Sequence, residues 1–235
     1  MKKHVVFLHY FGGNAESWQW MHPYLATDIT PHYLSLPGFG STPELANISI
    51  DTMSNYVWEY IKEQDLNDCM LVGHSMGGKL ALRTATLDTE HRIAQILLVA
   101  PSPPTIEAMS ESEQKRMLDR DRKSCEETVE NGTYSTLSDN KMDFCIETQL
   151  MITENTWKWW IETGMKNSIK KYTDTLEIPI HLIYSEDDQA ITPKMIQEEV
   201  IPNLNLQHVF HTKHVGHLMP IEQPEYVAKV VNDIV

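Results

Sequence analysis

Short apolar runs rich in β-branched residues alternate along the chain with longer stretches in which apolar positions recur every three or four residues. The first pattern belongs to buried strands and the second to amphipathic helices. Strands are expected near residues 4–10, 30–36, 69–74, 94–100, 178–184 and 207–211, with helices near 15–25, 50–64, 77–88, 194–200 and 223–234. Such alternation builds a mostly parallel sheet, and right-handed crossovers place the helices on both its faces. The fold class is therefore three-layer α/β.

Between Pro101 and Thr175 the alternation stops and the pattern is helical throughout. Ser110-Glu111-Ser112-Glu113 has the capping-box pattern, in which a serine hydroxyl and a glutamate three residues on satisfy free N–H groups, so a helix is expected over 111–124. Further on, Trp157, Trp160, Ile161 and Met165 share one helical face and leave Trp159 on the other. Residues 102–175 are read as a helical cap inserted into a core made of 1–101 and 176–235. Because the insertion follows the fourth strand, it would lie over the carboxyl ends of the strands, where open α/β sheets bind ligands. Packing accounts for most of its residues.

Composition narrows the function classes. With 235 residues, 41% hydrophobic and 22% charged, the chain is an ordinary globular one. Its 33 acidic and 19 basic side chains give a formal net charge of -14, which repels a phosphate backbone and argues against nucleic acid as a partner. Apolar runs such as Ile96 to Ala100 fall far short of the ~20 residues of a membrane helix. Lys2 and Lys3 precede a strand-like segment with two histidines rather than a signal peptide, and Cys69, Cys125 and Cys145 are spaced like neither a disulfide framework nor a zinc site. The expected location is the cytoplasm.

The strongest chemical signal is Cys69-Met70-Leu71-Val72-Gly73-His74-Ser75-Met76-Gly77-Gly78-Lys79-Leu80, a strand running through Gly-x-Ser-x-Gly into a helix-forming stretch. Glycines at 73 and 77 remove side chains that would clash in a sharp turn, so the Ser75 hydroxyl can stand exposed on a nucleophile elbow. A serine needs a base to take its proton and a third group to orient that base. The strand ending in Glu186-Asp187-Asp188 offers carboxylates, and Gly216-His217 follows the last strand. His208, His211, His214 and His217 recur every third residue, but on an extended strand such positions face opposite ways, and no neighbouring cysteine or carboxylate completes a metal-ligand set. No metal site is expected. His74, next to the nucleophile, is expected to point away and pack.

In its elements and their order the chain resembles the α/β-hydrolase superfamily, and the resemblance covers nearly its whole length. The family's His-Gly region looks like His9-Tyr10-Phe11-Gly12-Gly13, with Tyr10 where glycine is usual; its next loop looks like Leu36-Pro37-Gly38-Phe39-Gly40-Ser41, with Ser35 where aspartate is common. Gly-x-x-Asp matches Ser185-Glu186-Asp187-Asp188 with the glycine replaced, and the closing Gly-His and Pro-Glu match Gly216-His217 and Pro224-Glu225. Gly-His-Ser-Met-Gly-Gly-Lys is especially like the elbow of small serine esterases and acyl thioesterases. The resemblance implies a six-stranded sheet without the two strands that usually precede the His-Gly strand. It makes Ser75, Asp188 and His217 the triad and the backbone N–H groups of Phe11 and Met76 the oxyanion hole. Tyr10, Trp159 and Leu218 are the candidate substrate contacts. The expected activity is hydrolysis of a small-molecule carboxylic ester or thioester through an acyl-enzyme, with no cofactor. Two alternatives stay open: the same triad acting on C–C or amide bonds, and a small-molecule receptor without turnover.

Overall fold

The computed structural model describes residues 2–235. Its sheet has six strands, β1 (Lys3–Leu8), β2 (Ile29–Leu34), β3 (Cys69–His74), β4 (Ile93–Val99), β5 (Ile180–Ser185) and β6 (Leu206–Thr212), in the order β2-β1-β3-β4-β5-β6. Every neighbouring pair is parallel, so the sheet is wholly rather than mostly parallel. The period-2 alternation sorts the strand residues onto two faces. Val6, Leu8, Leu71, Ile96 and Leu98 join a core with Met53 and Val57 of α1 (Ile50–Glu63) and Leu80 of α2 (Met76–Ala85). Val5, Phe7, Met70, Val72 and Leu97 pack on the opposite side with Trp18, Met21 and, from the C-terminal helix at Pro224–Ile234, Val227 and Val231. Each such large side chain taken fully out of water contributes about 1.5–3 kcal/mol.

The helices between β4 and β5 are α3 (Glu111–Leu118), α4 (Arg122–Asn131), α5 (Asp139–Met151), α6 (Glu154–Glu162) and the short α7 (Lys170–Thr173). The helix expected over 111–124 is two helices, because Arg120 turns to a positive φ of 31° and Asp121 starts α4 by accepting the Ser124 N–H. Residues 15–25 form two 3₁₀ turns, Ala15–Trp18 and His22–Tyr24, instead of one helix. Asn14 caps the first and Pro23 opens the second. Likewise 194–200 is not regular α-helix: α8 (Pro193–Met195) passes into a π-helical turn, Ile196–Val200, followed by Pro202. The chain closes with α9 (Met219–Glu222) and α10 (Pro224–Ile234).

Two contacts seat these helices on the sheet. α4 and α5 share a small core, Cys125, Val129, Cys145 and Ile146, with Tyr10, Leu218 and Ile221. α6 meets the loop after β2, where Gly38 (φ 85°) accepts the Thr153 N–H at 2.9 Å and a Cβ would stand 2.0 Å from Thr156 Oγ1. The three cysteines are free and buried. Among the described residues no helix is long and apolar enough to cross a membrane.

Candidate active site

Ser75 stands between β3 and α2 at φ 53°, ψ -118°, a left-handed conformation that costs a non-glycine residue about 1–3 kcal/mol. Its surroundings hold it there. The Ser75 N–H donates to Val99 O at 3.0 Å, and its carbonyl accepts from Gly78 at 2.8 Å and Ser102 at 3.0 Å. The motif's glycines answer to close backbone approach: a Cβ on Gly77 would lie 2.4 Å from Leu8 O, and one on Gly73 2.4 Å from Gly77 O.

His217 Nδ1 is 2.8 Å from Asp188 Oδ2, and Asp188 is 1% exposed. The other carboxylate oxygen, Oδ1, accepts the N–H groups of Ala190 at 2.8 Å and Ile191 at 2.9 Å, which turns the loop after β5 back into the protein. As an ionised carboxylate only accepts, Nδ1 carries the proton and Nε2 is left with a lone pair. Burial pushes the His217 pKa down, but the charge and hydrogen bond of Asp188, aided by Glu107 and Glu222, push harder, so it ends above the usual value. The neighbouring carboxylates face elsewhere: Asp187 accepts the His214 N–H at 2.7 Å, and Glu186 pairs with His211 and Lys213, each at 3.0 Å.

Two residues that depart from the family pattern make hydrogen bonds that join neighbouring loops. Ser185, in a glycine's place, donates its hydroxyl to Val215 O and accepts the Asp187 N–H, tying the β5 turn to the segment before His217. Ser35, in an aspartate's place, accepts the Ala15 N–H at 3.0 Å. On the helical side, Gly132 O accepts the N–H groups of His217 at 2.7 Å and Leu218 at 3.2 Å. Gly216 has to be glycine because a Cβ would lie 2.6 Å from Gly132 O.

A cavity of about 670 Å³ opens beside Ser75 and His217 and is also lined by Tyr10, Phe11, Leu218 and Trp160. Ser75 Oγ is not hydrogen-bonded to His217 in this state; the two face the same cavity, with Asp188 behind the imidazole. Such bonds commonly tighten only once substrate is bound. Met76 begins α2, and neither its N–H nor that of Phe11 meets a backbone acceptor among the described residues. Trp159 does not line the cavity; Trp160 does. The outer side of α6 carries Glu154, Lys158 and Glu162, and Trp159 lies at its edge, buried like Trp157 and Trp160 because it packs on Trp160 and the Gly164 turn.

Other residues belong to the site without a motif to announce them. His74 does more than pack: its Nε2 donates to His217 O at 2.8 Å, and its ring centroid lies 5.2 Å from those of Tyr10 and His217. Burial drives its pKa well below the usual value and keeps it neutral. His9 donates from Nδ1 to Tyr10 O at 2.8 Å and accepts the Leu36 N–H on Nε2 at 3.1 Å, with burial lowering its pKa to about 4. Lys79, wholly buried in α2, donates to the carbonyls of Thr105, Met165 and Asn167 at 3.0–3.2 Å. A lysine inside the apolar run after the elbow was the one available signal. The other histidines diverge, His208 to His181 at 3.1 Å and His214 to the Tyr134 hydroxyl at 3.1 Å, and of the four only His217 reaches the cavity.

Comparison with known proteins agrees with this architecture. The chain is 37% identical over 98 residues, 41% of its length, to the dihydrolipoyllysine-residue acetyltransferase component of the acetoin cleaving system of Cupriavidus necator. It is 33% identical over 99 residues, 42% of its length, to the pimeloyl-(acyl-carrier protein) methyl ester esterase of Photorhabdus laumondii. These stretches span only 26% and 36% of the two relatives. The solved structure of an esterase from Exiguobacterium antarcticum superposes with a TM-score of 0.90, covering 98% of this chain and 91% of that one at 15% identity, a likeness of fold. The model of the alpha/beta hydrolase family matches residues 5–230, and with the parallel sheet and the strand-elbow-helix around Ser75 it shows that this protein belongs to the alpha/beta hydrolase family.

Proposed function

We propose that the protein is a serine carboxylic-ester hydrolase that cleaves an ester or thioester through an acyl-enzyme. The observation that carries this reading is the buried Asp188–His217 pair, whose free Nε2 faces the same cavity as the strained Ser75. Ser75 Oγ attacks the substrate carbonyl as His217 Nε2 takes its proton, and Asp188 stabilises the imidazolium formed. The N–H groups of Phe11 and Met76 receive the negative charge that develops on the carbonyl oxygen. His217 returns the proton to the departing alcohol or thiol; water, deprotonated by His217, then releases the acid and restores Ser75. Residues 102–175 act as a cap over this centre, with Tyr10, Leu218 and Trp160 as the apolar part of the wall. The ester esterase among the relatives supports this chemistry.

Turnover of p-nitrophenyl butyrate tests it. Ser75→Ala should lower kcat/KM by about 10⁴-fold or more at nearly unchanged thermal stability, and a fluorophosphonate should label the peptide containing Ser75. Retention of roughly a tenth of the wild-type rate would remove Ser75 from the role.

A further inference from the structure

The cavity beside Ser75 is lined by residues with polar atoms that the protein leaves short of partners. Glu107, on the segment leading from β4 to α3, fixes its backbone by an N–H bond to Met165 O at 2.9 Å, yet its carboxylate makes no ion pair, its Oε2 is buried, and the donor beside it is the Ser102 hydroxyl, itself without another partner. Lys79 is near enough to act on it through charge, but the ammonium already points at three backbone carbonyls. Across α5, Gln149 is 2% exposed and also lines the cavity. Its amide nitrogen is fixed by chemistry: two carbonyls, Cys125 O at 3.2 Å and Cys145 O at 2.9 Å, can only accept, so Nε2 faces them and Oε1 is the atom left without a donor.

Buried acceptors without donors keep the cost of their lost hydration and call for an explanation. The lining supplies one. It contains three glutamates, Glu107, Glu113 and Glu130, and no lysine or arginine. Glu113 is paired with Arg116, whereas Glu107 has no ion pair and only the charges of Lys79 and His217 acting on it, within a chain of net charge -14. Burial raises the Glu107 pKa, and the Ser102 hydroxyl and the charge of Lys79 offset this only in part.

We propose that this cavity selects esters whose acyl or alcohol part carries a hydrogen-bond donor, an ammonium or a hydroxyl group, received by Glu107 and Gln149, and that it rejects esters carrying an anion. The proposal rests on the serine-hydrolase reading and names its substrate class. A wall with unpaired acceptors discriminates strongly against an analogue lacking the donor, because that analogue leaves the acceptors desolvated and unmatched. An anionic analogue fares worse, brought against a second carboxylate in a medium that screens poorly.

The test compares methyl hexanoate with its ω-hydroxy, ω-ammonium and ω-carboxylate counterparts by pH-stat, in wild type, Glu107→Gln and Gln149→Met. In wild type the ammonium and hydroxy esters should exceed the parent in kcat/KM by about tenfold or more, and the carboxylate ester should fall below it by at least as much. Glu107→Gln should collapse the ammonium-to-carboxylate ratio while keeping the advantage of the hydroxy ester, which Gln149→Met should reduce. Equal rates on all the esters, a preference for the carboxylate, or a ranking unchanged in Glu107→Gln would overturn the proposal. Fluorophosphonate labelling at Ser75 in the same preparations separates the two readings: labelled enzyme with a flat ranking sinks only the selectivity, and unlabelled Ser75 sinks the hydrolase reading.

Discussion

Replacing Asp188 by asparagine exchanges one carboxylate oxygen for an amide nitrogen, and the loop decides which. Ala190 and Ile191 both donate to Oδ1, at 2.8 and 2.9 Å, so the amide oxygen stays with them and the NH₂ takes the position 2.8 Å from His217 Nδ1. An NH₂ can only donate, so Nδ1 must become the acceptor and the ring proton moves to Nε2, the atom that has to accept from Ser75. The imidazole is then held in the wrong tautomer. The expected loss in kcat/KM on p-nitrophenyl butyrate is about 10³-fold or more, on the order of 4 kcal/mol, with little change in thermal stability because both turn bonds persist. Asp187→Asn is the control: its Oδ2 accepts only the exposed His214 N–H, a bond an amide oxygen can also make, and the loss should stay below about tenfold. The pH profile gives a second reading. The base works only when unprotonated, and Asp188 helps to raise the His217 pKa, so wild-type activity should fall with acid through a value above the ordinary ~6.5. In Asp188→Asn that limb should move to lower pH. The reverse ranking of the two variants, or mild losses in both, would place the acid elsewhere in the chain.

Lys79 holds Thr105 at the start of the helical layer and Met165 and Asn167 near its end, so Lys79→Met should strand three carbonyls and lower stability by about 2–4 kcal/mol, read by thermal or urea unfolding. Burial lowers its folded pKa to about 8. Against ~10.4 unfolded, the unfolded state therefore binds the extra proton between those values. This group alone makes stability rise with pH across that window, and the rise should vanish in Lys79→Met. Trp160→Phe, which enlarges the cavity, should shift the ratio of long to short acyl p-nitrophenyl esters by about tenfold while leaving the rate of labelling by a small phosphonate nearly unchanged; an unchanged ratio would mean that Trp160 is scaffold only.

The parts of this structure that were legible in the sequence are those governed by a local period or a local steric demand. The strands were legible as short continuous apolar runs because each face of the sheet is buried under its own helices, Val6 and Leu8 on one side and Val5 and Phe7 on the other. The elbow was legible because Gly73 and Gly77 are required by backbones a few ångströms away. Among Glu186, Asp187 and Asp188 no period applies, since they lie in a loop past the strand; only a family pattern singled out Asp188, and the structure shows it alone of the three turned inward. Trp159 was misjudged because it borders the exposed Glu154, Lys158 and Glu162 face of its helix, and the Gly164 turn that covers it is not legible from the helical period. Gln149 and Glu107 went unseen, and His74 was read as packing alone, for a different reason. Their positions depend on contacts between segments far apart in the chain, such as the 143 residues separating His74 from the carbonyl it binds.

The same long-range contacts bind the base to the helical layer. Gly132 O takes the N–H groups of His217 and Leu218, and the Glu222 carboxylate takes the N–H of Gly216 on one oxygen and those of Tyr134 and Ser135 on the other. His217 is therefore oriented from the core by Asp188 and His74 and from the layer by residues 132–135. A swing of the layer as a unit would strip donors from Gly132 and Glu222 and displace the imidazole, so the α4–α5 end of the layer has to stay in place for the base to remain aligned. Of the helices bordering the cavity, α3 buries least, Met117 alone, against Ser124, Cys125 and Val129 in α4 and five residues in α6. Local opening draws on the elements with the fewest buried contacts. Opening at α3 would therefore leave the hydrogen bonds of His217 in place, whereas opening at α4 would break those to Gly132.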